Sequence, residues 1–199
     1  MLAKSLPILY TNFVMKLILA SNSPRRKQIL LENGFEFSVL VADYLEKDIE
    51  RHPVDTAKDN AIGKALAVYD SLKDKNAVVL GADTVVYLDQ KLLGKPNSPN
   101  QAKQMLKSLS GKTHVVVTGY AIITKNERIV GASESKVTFN ELTDKTIDDY
   151  VLTGSPLDKA GAYGIQDNNG IIKSFTGELN NIIGLPINDI APILNKLLK

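Results

Sequence analysis

No cysteine occurs anywhere in this 199-residue chain. Disulfides, thiolate nucleophiles and cysteine-ligated zinc are therefore excluded. Histidine is nearly absent as well, and His52 and His114 alone cannot build a multi-histidine metal centre. A hard cation held by carboxylate oxygens remains open. No apolar run approaches the roughly 20 residues of a membrane-spanning helix; near the start, Thr11-Asn12 and Lys16 interrupt the apolar stretch. Charge of one sign is also scarce. The 24 basic and 22 acidic residues leave a net +2, too little to attract nucleic acid or a membrane surface without a local cluster. The G-x-x-x-x-G-K-[ST] run of a P-loop is missing too.

What is present reads as an ordinary globular protein, 44% hydrophobic and 23% charged, with enough chain for one large domain or two closely joined lobes. Residues 1–14 read as a loose N-terminal extension, and Met15 is an alternative start. Residues 15–199 read as a single domain, expected in the cytoplasm.

Residues 17–20 form a continuous apolar run, as in a strand covered on both faces. Ser23 is placed to cap a helix with Pro24 at its first position and Gly34 after its end. A second strand is expected over 35–41 and a long helix over about 55–72, weakened by Gly63. Residues 77–81 read as a strand that ends at Ala82-Asp83-Thr84. Residues 85–88 and 92–93 then read as a hairpin around Asp89-Gln90-Lys91. Ser98 and Pro99 open another helix that Gly111 closes. Residues 113–124 and 129–139 form a second hairpin, and Thr143 caps a helix through Leu152. Asp167-Asn168-Asn169-Gly170 is a turn, and Pro186 opens a final helix that Pro192 should kink. Strands alternating with helices, plus two hairpins, predict an α/β protein with a mixed sheet.

The informative misfit is at Ser21-Asn22-Ser23-Pro24-Arg25-Arg26. A helix N-terminus carries unpaired N–H groups and a partial positive charge, so two arginines there are poorly placed unless an anion compensates them. Serine hydroxyls and arginine forks suit phosphate. The plainer reading is a solvated arginine pair beside a routine cap. Asp83 follows an apolar strand, where α/β sheets place ligands, although a turn aspartate would look the same. Lys95 sits in the Gly94-Lys95-Pro96 turn, either as a phosphate contact or as an exposed loop lysine. The glycine-rich run from Ser155 to Gln166 lets a ligand or another backbone approach closely. His114 lies in a β run and reads as structural.

Together these segments resemble the Maf family of nucleotide pyrophosphatases. The resemblance runs from Lys16 to about Leu198. It rests on Leu19-Ala20-Ser21-Asn22-Ser23-Pro24-Arg25-Arg26, Gly81-Ala82-Asp83-Thr84, Gly94-Lys95-Pro96, Leu109-Ser110-Gly111-Lys112-Thr113-His114, the run from Asp158 to Gln166, and Ile183-Gly184-Leu185-Pro186. It implies a Maf/inosine-triphosphatase-like fold: a mixed, twisted sheet flanked by helices, with two lobes around a deep cleft. It also implies cleavage of a nucleoside triphosphate between its α- and β-phosphates. By the same resemblance Asp83 is the proton acceptor, and Ser21, Arg25, Arg26, Lys64 and Lys95 line the phosphate end. Glu46 and Asp83 would hold Mg²⁺ or Mn²⁺. Members similar to dTTP/UTP pyrophosphatases carry the arginine, threonine and glutamine found here as Arg25, Thr84 and Gln166. An amide such as Gln166 can both donate to and accept from a pyrimidine edge. The chain departs from the family pattern at Leu45 and ahead of Lys64, at Asn60 and Ala61. Homodimers are common among such look-alikes.

Two other classes compete with the hydrolase. One is a nucleotide sensor linked to cell-division arrest, without turnover. The other is a nucleic-acid module, which the near-neutral charge and the lack of an aromatic-interleaved basic stripe disfavour. A free nucleotide is the expected partner, with no nucleic acid and no membrane.

Overall fold

The structure is a computed structural model that describes residues 15–47, 52–89, 91–167 and 170–199. The expected extension over 1–14 lies outside the described residues, as do Gln90 and Asn168-Asn169 in two expected turns. The first apolar run forms strand β1, Lys16–Leu19, and leads into helix α1, Pro24–Glu32. Ser23 caps α1 by accepting from the Arg26 N–H, and Gly34 takes a left-handed φ of 78°. Both features match the local signals.

The strand expected over 35–41 shrinks to β2, Ser38–Val39, parallel to β1. Only Ile18 and Leu19 pair with it, and β1 ends at Leu19, whose carbonyl takes a final bond from Leu40 N–H. Helix α2, Pro53–Ser71, then leads to β3, Ala77–Leu88. The break expected at Ala82-Asp83-Thr84 is absent. Strand β5, Thr113–Ile123, pairs antiparallel with β3 from Val79 to Tyr87, so the ladder carries these polar residues through. Strand β4, Lys91–Leu93, folds back on the end of β3 as expected.

The remaining elements are α3 (Pro99–Leu109), β6 (Arg128–Phe139), α4 (Asp144–Leu152), β7 (Ile172–Thr176), α5 (Leu179–Ile183) and α6 (Ile187–Leu197). Three short 3-10 turns fill most of 155–167. Pro192 lies within α6 on the exposed side. Asn188, whose carbonyl loses its helical partner, is exposed too, so water can satisfy that group. No helix among the described residues is long and apolar enough to cross a membrane.

Seven strands among the described residues form one mixed sheet in the order β2-β1-β3-β5-β6-β7, with β4 on the β1 side of β3. Strand β1 pairs with residues 77–80 of β3, and β4 with residues 86–88. Among the described residues no strand covers 81–85 on that side, and the sheet opens there. The chain also reverses direction across β1, since β2 lies on one side and β3 on the other. Ligand crevices form at such a switch point.

Side-chain parity divides the two faces of β3. Val79 and Val85 face α2, packing with Ala61 and Ala57 respectively. Gly81 and Gly119 bring that helix unusually close. A Cβ on Gly81 would stand 2.5 Å from the Ala61 carbonyl oxygen, and one on Gly119 would stand 2.4 Å from the Ala57 carbonyl carbon. On the opposite face Leu80 packs with Leu30 and Leu194, whereas Val86 packs with Leu106 and Ile147. Two hydrophobic clusters thus occupy the two ends of this face. Between them lies a polar seam in which Thr118 N–H donates to Asn181 Oδ1 at 3.1 Å.

Candidate active site

A cavity of about 380 Å³ opens at the gap in the sheet. Its floor is Asp83, only 6% exposed, which parity directs toward α2. Lys64 Nζ lies 2.6 Å from Asp83 Oδ1 and 2.7 Å from Glu46 Oε1. Asn60, one helical turn before Lys64, donates from Nδ2 to Asp83 Oδ2 at 3.1 Å. The close approach allowed by Gly81 and the alanines is what brings both α2 side chains onto the carboxylate. Partial burial pushes the Glu46 carboxyl up. Its hydrogen bond and ion pair with Lys64, with the charges of Lys95 and Arg26, outweigh burial and hold it below its ordinary value.

The α1 side of the cavity is equally ordered. Arg26 donates from Nε to the Gly184 carbonyl at 2.8 Å, from Nη1 to Ser21 Oγ at 3.1 Å and from Nη2 to Thr84 Oγ1 at 3.2 Å. This is not the solvated pair of the plainer reading. Burial lowers the guanidinium pKa, opposed by the nearby Asp83 and Glu46 carboxylates. No acidic residue occupies the first turn of α1, so the cation and the helix N-terminus add up to a local positive field.

Arg25 reaches across the mouth to Asp158, with Nη1 2.9 Å from Oδ2. Asp158 also accepts from the largely buried Lys159 at 2.7 Å. The Thr84 hydroxyl faces Arg26 and lies 2.9 Å from that of Thr118, which commits it to holding the arginine. Lys95 and Gln166 stand exposed on the rim. Ser21, Arg25, Arg26, Glu46, Lys64, Asp83, Thr84, Lys95 and Gln166, all singled out from the sequence, therefore line one cavity. Behind its wall, His114 Nε2 lies 2.7 Å from the Tyr163 hydroxyl, packed edge-on against Phe139 and Tyr163. That position suits the structural reading.

Sequence reasoning missed Asn60, Tyr44 and Asp158. Asn60 did carry a signal: it is 3% exposed on the same helix face as Ala57 and Ala61, a polar residue in an apolar stripe. Tyr44 carried none, because its partner is 16 residues away; Asp158 stood in the matched run from Asp158 to Gln166, but its pairing with Arg25, 133 residues away, was not legible there.

Two carboxylates bring oxygens close to one point, now filled by the Lys64 ammonium. Such hard oxygens fit Mg²⁺ or Mn²⁺, which Mg²⁺ sites typically complete with water and substrate phosphates. Among the described residues no group of three or more acidic or histidine side chains gathers into a fuller cage.

A family model described as Maf-like protein matches residues 16–197. The chain is 44% identical over 174 residues to a dTTP/UTP pyrophosphatase of Thermotoga maritima, covering 87% of this chain and 85% of that protein. It is also 44% identical over 179 residues to a dTTP/UTP pyrophosphatase of Bacillus cereus, covering 88% and 92%. Among solved structures, the Ham1 protein of Staphylococcus aureus matches with a TM-score of 0.50 at 14% identity, covering 91% of this chain and 98% of that one. That likeness concerns the fold alone.

Proposed function

The chain belongs to the Maf family, and from that premise we propose that it hydrolyses dTTP and UTP to the nucleoside monophosphate and pyrophosphate. The observation that carries the proposal is a buried carboxylate, Asp83, at the floor of a cavity walled by Arg25, Arg26, Lys64 and Lys95. A triphosphate entering this field is held by charge-assisted bonds from the arginines and favoured by the positive end of α1.

Asp83 accepts the proton of the attacking water. Each of its oxygens has two lone pairs, so the bonds to Lys64 and Asn60 leave room for that proton. The water oxygen bonds to the α-phosphorus. The bond from that phosphorus to the bridging oxygen breaks, and its electron pair leaves with pyrophosphate. Glu46 and Asp83 would hold a divalent cation, which neutralises phosphate charge when bound. Without that cation, Lys64 keeps the two carboxylates from repelling each other. Gln166, on the rim, reads the base edge.

The test is pyrophosphate release from a panel of triphosphates, with Mg²⁺ or Mn²⁺. dTTP and UTP are the expected substrates. Asp83→Asn should lower kcat by roughly a thousandfold, within the usual range for losing a general base. Binding of dTTP without turnover under any divalent cation would instead indicate a nucleotide sensor. Release of orthophosphate would rule out cleavage at the α-phosphorus.

A further inference from the structure

Gly63 sits inside α2, where glycine is a poorer helix former than alanine. Its backbone does not call for glycine, because it is not among the positive-φ residues. What calls for it is Tyr44. A Cβ on Gly63 would lie 2.0 Å from Tyr44 Cε2 and 2.1 Å from Cζ. The ring is therefore seated directly on the helix backbone.

The same short segment is held a second time by Asn60. Tyr44 Oη donates to Asn60 Oδ1 at 3.3 Å, and Lys47 N–H donates to that same oxygen at 2.9 Å. Asn60 Nδ2 donates both to the Lys47 carbonyl at 3.3 Å and to Asp83 Oδ2 at 3.1 Å. One buried amide thus joins the loop to the carboxylate. Asn60, Gly63 and Lys64 are spaced i, i+3 and i+4, so they share one side of α2. Glu46 lies between the two pinned residues. Residues 40–47 have no helix or strand of their own, so nothing in regular secondary structure holds Glu46 in place.

We infer that Tyr44, seated on Gly63 and clasped by Asn60, is a positioning residue that fixes Glu46 opposite Asp83. The clasp is a matter of structure; its consequence for catalysis rests on the proposed hydrolysis. Substitution of Gly63 by alanine displaces the ring, because the atoms in the way are the far end of a side chain and can swing out. The helix survives, and the loop is released.

The experiment combines amide hydrogen exchange of a peptide spanning 41–47 with steady-state kinetics on dTTP. Gly63→Ala and Tyr44→Ala should each speed exchange in that peptide at least tenfold. Each should lower kcat about tenfold, with KM within about twofold. Adding Gly63→Ala to Tyr44→Ala should change neither quantity further, because the ring it displaces is already gone. Tyr44→Phe, which keeps the ring, should retain kcat within about threefold.

The inference is overturned if Gly63→Ala leaves exchange and kcat at wild-type values, or if it has its full effect in the Tyr44→Ala background. A Tyr44→Phe variant as impaired as Tyr44→Ala would also overturn the ring seat. Exchange reports the clasp whether or not dTTP is turned over, so failure of the hydrolase reading is seen separately in the wild-type assay.

Discussion

His114 links the interior of the protein to pH in a way that can be worked out in numbers. The ring is 1% exposed, Nε2 meets Tyr163, and Nδ1 has no hydrogen-bond partner among the described residues. Burial lowers its pKa from 6.5 to about 4. Above pH 6.5 the ring is neutral in both the folded and unfolded chain, and the full stability is present. Between pH 6.5 and 4 the unfolded chain takes up a proton that the folded chain refuses. Stability then falls by about 1.4 kcal/mol per pH unit, or about 3 kcal/mol across the window, and levels off below pH 4. From pH 7.5 to 5.0 the His114 contribution is about 2 kcal/mol. Urea unfolding at both pH values should show the wild type losing about that much more than His114→Phe. The variant also strands the Tyr163 hydroxyl, which lowers its stability at every pH and leaves the difference intact. Carboxylates titrate alike in both proteins. Parallel losses would mean that the ring accepts a proton in the folded state, and the argument from burial would be wrong.

Gly81→Ala should act very differently from Gly63→Ala. Its Cβ meets the Ala61 carbonyl oxygen at 2.5 Å, so the helix itself must shift, at about 1–3 kcal/mol. Lys64 and Asn60 then move off Asp83. Thermal unfolding and pyrophosphate release should both suffer, and an unchanged melting temperature would count against this packing. Arg25→Ala removes a partly exposed ion pair with Asp158, which contributes under about 1 kcal/mol to stability. Its KM for dTTP should still rise about tenfold, and an unchanged KM would separate Arg25 from the phosphates. Gln166→Glu replaces an amide with a group that accepts but no longer donates at neutral pH. kcat/KM for dTTP and UTP should drop roughly tenfold, the scale of one lost hydrogen bond, and equal rates would take Gln166 out of base recognition.

Local signals were the readable part of the fold. Ser23, Ser98 and Thr143 cap helices as their spacing predicts, each accepting from the N–H three residues on. Gly34, Gly111 and Gly154 take left-handed conformations beyond helix ends. These outcomes depend on contacts within a few residues. Strand extents do not. The end of β2 reflects the end of β1 at Leu19, and the uninterrupted β3 reflects the β5 ladder. Neither limit is written in the strand itself. Helix α5 had no capping signal, and Glu178 at its N-cap makes no side-chain cap bond.

The site divides along the same line. Phosphate chemistry pointed to Ser21, Ser23, Arg25, Arg26, Asp83 and Lys95, whereas Glu46, Lys64 and Thr84 came only through the family resemblance. The sequence by itself therefore determined the helix N-terminus that carries two arginines and the family to which they point. Only the tertiary structure decided how these groups are held. Arg26 is anchored on Gly184, Arg25 is turned to Asp158, and Asp83 is clamped by Lys64 and Asn60. Partners 133 or 158 residues apart meet only because both clusters fold against one long strand. Parity along that strand sends Asp83 to one face and Thr84 to the other.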